Sequence, residues 1–337
     1  MRSILITAAL ACSSFLSSIA YAEQVNIYSF RQSFLIDPIL AEFSKESGIE
    51  TKVIFAKDGL IQRIKREGEL SPADVVLTSN FSKLLQLKEE GLVQSFELSD
   101  TLKTNIPQQF RDSDNSWLAL TQRVRNIYSS KKNAGDLTNI RYEDLADEKF
   151  KGRICTRSGK HPYNLGLVAS MIAHHGEAET ETWLQGFKAN LARKPQGNDR
   201  SQVKSIKEGL CDISLGNSYY LGKMLQDPNQ VEWANAVNLN FPNQQDRGAH
   251  INVSGAVIAK HAPHKAAAQK LLEFLSSEKA QNMYAELNME YPVSPAAKPS
   301  ELVSSWGDFK ADSLPLEKIA ENRKQALRLI DKVQFDL

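Results

Sequence analysis

Cysteine and histidine are scarce in this chain, and their scarcity excludes several kinds of catalytic site. The 337 residues include 3 Cys and 6 His. None of the histidines stands in a metal-ligand spacing such as His-Glu-x-x-His, and no Gly-x-Ser-x-Gly elbow occurs. A hydrolytic enzyme is therefore the least favoured function for this sequence, and we expect a protein that is not an enzyme.

The chain also lacks an excess of charge and, beyond its first residues, any apolar run long enough to span a membrane. Arg2, an apolar stretch over residues 4–19 and the small-x-small site at Ala20-Tyr21-Ala22 are typical of a secretory signal peptide, residues 1–22. We predict cleavage after Ala22 and a periplasmic mature protein. Cleavage removes Arg2, so the 41 Lys and Arg residues of the full chain become 40 in the mature protein, against 40 acidic residues. A neutral chain is not expected to bind nucleic acid, and we expect a monomer.

Removal of the signal peptide also removes Cys12. Cleavage as a lipoprotein at Cys12 is not expected, because Ala9-Leu10-Ala11 before it lacks the leucine that usually begins a lipobox. The mature chain keeps Cys155 and Cys211, each on a predicted strand. Two cysteines in an oxidising compartment predict one disulfide, which would make the two strands neighbours. The alternative is a pair of buried free thiols.

Short apolar runs alternate with amphipathic helical patterns, which predicts an α/β fold with parallel strands. Strands are predicted at 25–28, 51–55, 73–77, 152–156 and 210–215. Helices are predicted at 36–47, 60–67, 81–90, 266–287, from Pro162, at Tyr219-Tyr220 and from Leu316. Stretches 118–128 and 250–259 are interpreted as two hinge crossings between lobes formed by 23–120 with 248–298 and by 121–247 with 299–337. Ligands of such folds bind at the carboxyl ends of the strands, here in the cleft between the lobes.

Three tyrosines stand at predicted strand-to-helix junctions of the second lobe. They are Tyr163, Tyr219 and Tyr220. Phenolate is a hard oxygen ligand, and three phenolates balance the charge of a trivalent cation, so we interpret the trio as a ferric-ion site. The positive end of each helix is expected to lower the phenol pKa from about 10. The alternative is that the hydroxyls simply bond to backbone groups.

Three ligands leave part of an octahedron open, and a small anion such as carbonate could fill it. Arg31 is the favoured anion-binding residue, because its guanidinium matches a carboxylate-like anion with two parallel hydrogen bonds. Further anion-binding candidates are Gln32, Ser158, Gly159 and Lys160. Four further residues are expected to surround the iron ligands without binding the ion themselves: Arg123, Arg125, His161 and Asn217. Since Arg123 and Arg125 alternate along a strand, we expect them to point to opposite faces, with only one facing the cleft.

Several segments resemble periplasmic ferric-ion-binding proteins, the solute-binding components of bacterial iron(III) ABC transporters. These segments are 26–32 (NIYSFRQ), 68–75 (GELSPADV), 157–160 (RSGK), 192–197 (ARKPQG), 216–220 (GNSYY) and 252–255 (NVSG). The resemblance implies the two-lobed solute-binding fold (type II), Tyr163, Tyr219 and Tyr220 as iron ligands, and an inner-membrane ABC permease as partner. Gln32-Ser33 replaces the His-Tyr of many relatives, and Ser79 replaces a Glu. This pattern resembles the subgroup that binds iron with three tyrosines and a synergistic anion held by the arginine matching Arg31.

Two other functions remain open. The same fold could carry an oxyanion in the proposed anion site. Adjacent tyrosines could instead enclose an organic cation through cation–π contacts. Visible colour separates these functions, because only ferric phenolate is expected to absorb visible light.

Overall fold

Strands and helices alternate through most of the chain, as the sequence predicts. A computed structural model describes residues 23–337; the predicted signal peptide and its cleavage site lie outside the described residues. The strands are β1 Gln24–Ser29, β2 Glu50–Phe55, β3 Val75–Thr78, β4 Val93–Gln94, β5 Leu118–Ser130, β6 Ile154–Cys155, β7 Ile213–Asn217, β8 Val237–Asn240, β9 Ile251–Ala259 and β10 Tyr291–Pro292. The helices are α1 Ser33–Ser47, α2 Leu60–Glu67, α3 Phe81–Glu89, α4 Asp100–Asn105, α5 Pro162–Ala189, α6 Asp199–Lys207, α7 Tyr219–Leu225, α8 Val231–Asn235, α9 Lys265–Ser276, α10 Glu278–Asn288, α11 Glu301–Ser304, α12 Leu316–Glu321 and α13 Arg323–Lys332.

The described strands form a mixed sheet in the order β2-β1-β3-β9-β5-β7-β6, with β4 beside β9 and with β8 and β10 beside β5. Strand β1 is parallel to both β2 and β3. In the other half of the sheet, β6 is parallel to β7. The loops that follow β1, β3, β6 and β7 border one cavity.

Strand β5 joins the two halves of the sheet. Its first part pairs with β9 and β10, and its second part pairs with β7 and β8. The stretches 118–128 and 250–259 form most of β5 and β9, and their role as hinge crossings stays a prediction. The lobe boundaries at 120/121, 247/248 and 298/299 stay a prediction.

Helix α1 shows how the apolar pattern places a helix on the sheet. Its buried residues are Ile36, Ile39, Leu40 and Phe43, which recur with the spacing of one helical face. The helix ends at Gly48, whose backbone is left-handed with φ 72°. Glycine adopts this conformation without the steric cost that a side chain would bring.

The single long helix predicted over 266–287 is wrong. The chain forms α9 and α10 there, separated by Ser277, which has an extended backbone with ψ 152°. The Ser277 hydroxyl accepts a hydrogen bond from the Ala280 backbone N–H at 3.2 Å. Serine at a helix N-cap stabilises a new helix start in this way, so a side-chain cap overrides the continuous apolar pattern.

The predicted disulfide between Cys155 and Cys211 is confirmed. The two residues are bonded, with their Cα atoms 5.9 Å apart. Cys155 lies in β6 and Cys211 lies two residues before β7 begins, and these strands are neighbours. The bond therefore ties together the two strands that lead into the helices bearing the tyrosines.

Replacing both cysteines by serine is expected to lower the free energy of unfolding. The bond closes a separation of 56 residues, and the loop-entropy model assigns about 4 kcal/mol to a loop of that length. Urea unfolding of the Cys155→Ser/Cys211→Ser variant measures the loss, with reduced wild type as the control. Quantitative alkylation of the native, unreduced protein would contradict the bond itself.

No helix within residues 23–337 combines the length and the apolar character needed to cross a membrane.

Candidate metal centre

The starts of α5 and α7 bring the three predicted tyrosines together. Tyr163 is the second residue of α5, and Tyr219 and Tyr220 are the first two residues of α7. The hydroxyl oxygens of Tyr163 and Tyr219 are 3.4 Å apart, and the ring centroids of Tyr219 and Tyr220 are 4.2 Å apart. By contrast, the Tyr128 hydroxyl donates to the backbone carbonyl of Asn217 at 2.7 Å. The trio thus forms a phenol cluster. The hydroxyl groups of Tyr163 and Tyr219 contact each other, whereas the Tyr128 hydroxyl contacts a backbone carbonyl.

Tyr128 also fixes the end of β7, directly before the tyrosine pair. Its ring lies against Gly216, where a Cβ atom would come within 2.2 Å of the Tyr128 ring. A larger residue at position 216 would force the Tyr128 ring or the backbone around it to move. The glycine in the Gly-Asn-Ser-Tyr-Tyr segment therefore allows the Tyr128 ring to lie directly against β7.

The prediction that the helix starts lower the phenol pKa is wrong for Tyr219 and Tyr220. Burial, followed by the neighbouring Tyr163 and Tyr220, raises the pKa of Tyr219 well above its ordinary value. Burial, followed by Tyr163, also raises the pKa of Tyr220. Burial disfavours the charged phenolate, so these two phenols are protonated at neutral pH.

A buried ionic network holds the end of β7 and the loop after β6, the two segments that lead to the tyrosines. The Asp199 carboxylate is bonded to Arg125 at 2.7 Å and to Arg157 at 3.1 Å. The same carboxylate accepts the backbone N–H of Asn217 at 3.0 Å, and the Asn217 side chain accepts from Arg125 at 3.2 Å. Asp199 lies at the start of α6 and was missed in the sequence, because no local motif marks it as the partner of distant arginines.

The sequence interpretation expected Arg123 and Arg125 to point to opposite faces of the strand, and this is wrong. Residues two apart on a strand share a face, and both guanidinium groups lie 5.9 Å from the Tyr163 ring centroid. Their environments nevertheless differ. Arg123 lines the cavity, whereas Arg125 is held beneath it by Asp199 and by the Asn164 side chain at 2.6 Å.

Arg31 faces the tyrosines from the loop after β1. It is buried, and its guanidinium donates to the Glu290 carboxylate at 2.9 Å. Glu290 also lies 3.7 Å from Arg123 and accepts from the Thr121 hydroxyl at 2.7 Å. Although burial acts to lower the pKa of Arg31, Glu290, Tyr284 and Tyr219 raise it above its ordinary value. Arg31 is thus charged and near Tyr219.

Glu290 is the main site residue that sequence reasoning missed. Burial alone would raise its pKa, but Arg31 and Arg123 lower the pKa below its ordinary value, so the carboxylate is charged. It follows Met289, whose left-handed backbone (φ 57°) ends α10. A lone acidic residue in the otherwise apolar stretch 289–293 is the signal that could have identified it.

The cavity around the phenols, called the tyrosine cavity below, has a volume of about 380 Å³. It is lined by Phe30, Arg31, Gln32, Phe34, Leu35, Phe55, Lys57, Ser79, Arg123, Arg157, His161, Tyr163, Arg200, Tyr219, Tyr220, Lys223, Asn288 and Glu290. Six of these side chains are Arg or Lys, and Glu290 is the one carboxylate among them. The lining therefore favours an anion or an anion-bearing complex over a free organic cation.

A larger cavity of about 850 Å³ lies elsewhere, between 108–113 and 311–317, and contains none of the predicted site residues. Within residues 23–337, no group of three or more His, Cys, Asp or Glu side chains is arranged to hold a metal. The phenol cluster thus remains the candidate site, because three hard oxygen donors come together there.

Ser158, Gly159 and Lys160 are not brought to the tyrosine cavity. The Ser158 hydroxyl and the Gly159 N–H donate to Asp336, and Lys160 pairs with Asp331. The expectation that this loop binds an external anion is thus not met in the structure, because carboxylates of the C-terminal segment occupy its donors.

His161 and Gln32 do line the tyrosine cavity. The His161 ring lies against Tyr163, with centroids 4.6 Å apart, and its Nδ1 accepts the Tyr163 backbone N–H at 3.3 Å. Burial, followed by the charge of Arg157, lowers the pKa of His161 to about 3, so its ring is neutral.

Comparison with known proteins agrees with this fold. Residues 71–308 match the family model described as bacterial extracellular solute-binding protein. The fold and the cavity thus define an α/β solute-binding protein of the extracellular or periplasmic class. The chain is 40% identical to iron uptake protein A1 of Synechocystis over 92% of its own length and 87% of that protein. The chain belongs to the family of periplasmic ferric iron-binding proteins, which are binding proteins and not enzymes.

Two solved structures of iron-binding proteins are similar to this chain in fold as well as in sequence. The ferric iron-binding protein A of Mannheimia haemolytica, in an open conformation, has a TM-score of 0.90 and 54% identity, covering 94% of this chain and 100% of that chain. A Trichodesmium protein in complex with iron and citrate has a TM-score of 0.89 and 37% identity, covering 93% of this chain and 99% of that chain.

Proposed function

We propose that this protein binds ferric ion through Tyr163, Tyr219 and Tyr220 and delivers it to an inner-membrane ABC permease. The observation that carries the proposal is the phenol cluster, in which the Tyr163 and Tyr219 hydroxyl oxygens are 3.4 Å apart and the Tyr220 ring packs against that of Tyr219. Hard oxygen donors suit a small, highly charged cation. Ferric ion is the cargo of this site, and its relatives, which include an iron uptake protein and a major ferric iron-binding protein, support that choice.

We further propose that a small synergistic anion, such as carbonate, completes the coordination. Arg31 Nε and the Arg123 atoms Nε and Nη1 are buried without a hydrogen-bond partner among residues 23–337. Glu290 already lies between the two arginines, but buried guanidinium groups normally have all their donors occupied, so these free donors favour a second, external anion. The iron and citrate bound to the Trichodesmium relative make an organic carboxylate the main alternative to carbonate.

Binding must release protons from the phenols. Because burial raises the pKa of Tyr219 and Tyr220, the iron-free site is neutral at these positions, and ferric ion has to displace the protons. We therefore expect ferric affinity to fall as the pH is lowered.

A thermal-shift panel separates ferric binding from its two alternatives. A ligand that binds only the folded state stabilises it by about 4 kcal/mol at a concentration of 1,000 Kd. We expect ferric citrate or ferric ion with bicarbonate to raise the melting temperature by several degrees. Bicarbonate, phosphate or citrate without iron should produce a small rise at most, and spermidine none. A full shift with phosphate alone would favour an oxyanion carrier, and a full shift with spermidine would favour an organic-cation carrier.

A further inference from the structure

The last residues of the chain lie against the loop that leads into Tyr163. Asp336 accepts a hydrogen bond from the Ser158 hydroxyl at 2.6 Å and from the Gly159 backbone N–H at 2.7 Å. Ser158 and Gly159 are two of the residues from which the sequence predicts external anion binding. A carboxylate from the C-terminal segment takes that place instead, so the loop already holds an anion supplied by the protein.

The C-terminal segment is itself anchored on α5. Phe335 is buried, and its ring centroid lies 5.2 Å from that of Phe187. The Lys188 ammonium donates to the carbonyl of Val333 at 3.1 Å and to that of Gln334 at 2.6 Å. Asp336 therefore presents its carboxylate from a fixed support rather than from a free end.

The absence of a side chain at Gly159 allows this approach. A Cβ atom there would lie 2.8 Å from the Phe335 ring and 3.2 Å from Ile330. Since a Cβ contact under 3.0 Å is not tolerated without movement, an alanine at this position would displace either the loop or the C-terminal segment. The loop and the segment are thus packed as one unit.

The same loop is bonded to the first turn of α5, which carries Tyr163. The Asn164 amide donates to the carbonyl of Arg157 at 2.9 Å and to that of Ser158 at 3.3 Å. The His161 N–H donates to the Ser158 carbonyl at 3.2 Å. His161 and Asn164, which lie on either side of Tyr163 in the chain, are therefore both hydrogen-bonded to Ser158. A shift of Ser158 would move the start of α5 and with it the Tyr163 phenol.

We propose that Asp336 is a positioning residue of the metal site, which holds Tyr163 in its ligand position before iron arrives. The carboxylate does not line the tyrosine cavity; it acts through Ser158 and Gly159. Outer partners that orient a ligand commonly contribute 10–100-fold, roughly, to metal affinity. This inference rests on the proposed function, because it requires Tyr163 to be a ligand.

The test compares Asp336→Asn with Asp331→Asn in the full mature chain. Asp331 belongs to the same C-terminal region and pairs with Lys160, but both side chains are about half exposed. We expect Asp336→Asn to weaken ferric affinity by about 10–100-fold and to alter the phenolate-to-iron absorption band. Asp331→Asn should stay within about two-fold of wild type, because exposed ion pairs contribute little. Hydrogen exchange of iron-free protein should show a less protected Gly159 N–H in Asp336→Asn only.

Gly159→Ala tests the same contact from the loop side and leaves Asp336 in place. It should also weaken ferric affinity and alter the band. If both variants keep wild-type affinity and an unchanged band while Tyr163→Phe loses affinity, the positioning role is wrong and the ferric site stands. If Asp336→Asn lowers the melting temperature but leaves the band unchanged, Asp336 has a structural role only. If Tyr163→Phe itself binds iron fully, the ligand set fails, and the positioning role fails with it.

Discussion

Tyr219→Phe is expected to weaken ferric binding by more than 100-fold. The substitution removes one phenolate oxygen and keeps the ring that stacks on Tyr220 at 4.2 Å. Loss of an outer partner of a metal ligand costs about 10–100-fold in affinity, and loss of the ligand itself should cost more. Competition with a chelator of known ferric affinity measures the change, and Tyr163→Phe and Tyr220→Phe should behave alike.

Tyr28→Phe is the matched control for these variants. Tyr28 is buried, and its hydroxyl donates to Glu67 at 2.8 and 2.9 Å, outside the tyrosine cavity. The same chemical change there should leave ferric affinity unaltered. Full affinity with an unchanged band in any one of the three cavity variants removes that tyrosine from the ligand set.

Arg31→Ala is expected to have two large effects, on the anion and on the fold. Removing the guanidinium takes away the donor that we propose for the anion, so the gain in ferric affinity on adding bicarbonate should disappear. It also leaves the buried Glu290 carboxylate without its 2.9 Å partner. Breaking a buried ion pair in this way costs about 3–5 kcal/mol, which urea unfolding will detect.

Arg31→Lys separates these two effects. Lysine keeps the positive charge beside Glu290 but loses the planar fork that binds an anion with two hydrogen bonds. We therefore expect most of the stability to return and only part of the bicarbonate effect. A wild-type bicarbonate effect in Arg31→Ala would show that the anion is held elsewhere, with Arg123 as the next residue to replace.

The elements and the tyrosine trio were predictable because their signals are local. The spacing of Ile36, Ile39, Leu40 and Phe43 places α1 on the sheet, and only Ser218 separates Tyr219 from the end of β7. Local signals also fail where a side chain overrides an apolar pattern, as the Ser277 cap does between α9 and α10.

The electrostatic network was not predictable, because it joins residues far apart in the chain. Arg31 and Glu290 are separated by 259 residues, and Arg125 and Asp199 by 74. Asp336 is likewise 178 residues from Ser158. No spacing rule connects such pairs; only the packed sheet brings them into contact. This also explains why burial, which depends on the whole fold, reverses the expected pKa direction at Tyr219.

A visible absorption titration of the purified mature protein tests the ferric-phenolate site most directly. Ferric ion, presented as a weak chelate with bicarbonate, is added in steps to iron-free protein and to the Tyr163→Phe/Tyr219→Phe/Tyr220→Phe variant. We expect wild type to develop a phenolate-to-iron band that saturates at one iron per chain, and the triple variant to stay colourless. Tight ferric binding without a visible band, or an equal band in the triple variant, would contradict a site built from these three tyrosines.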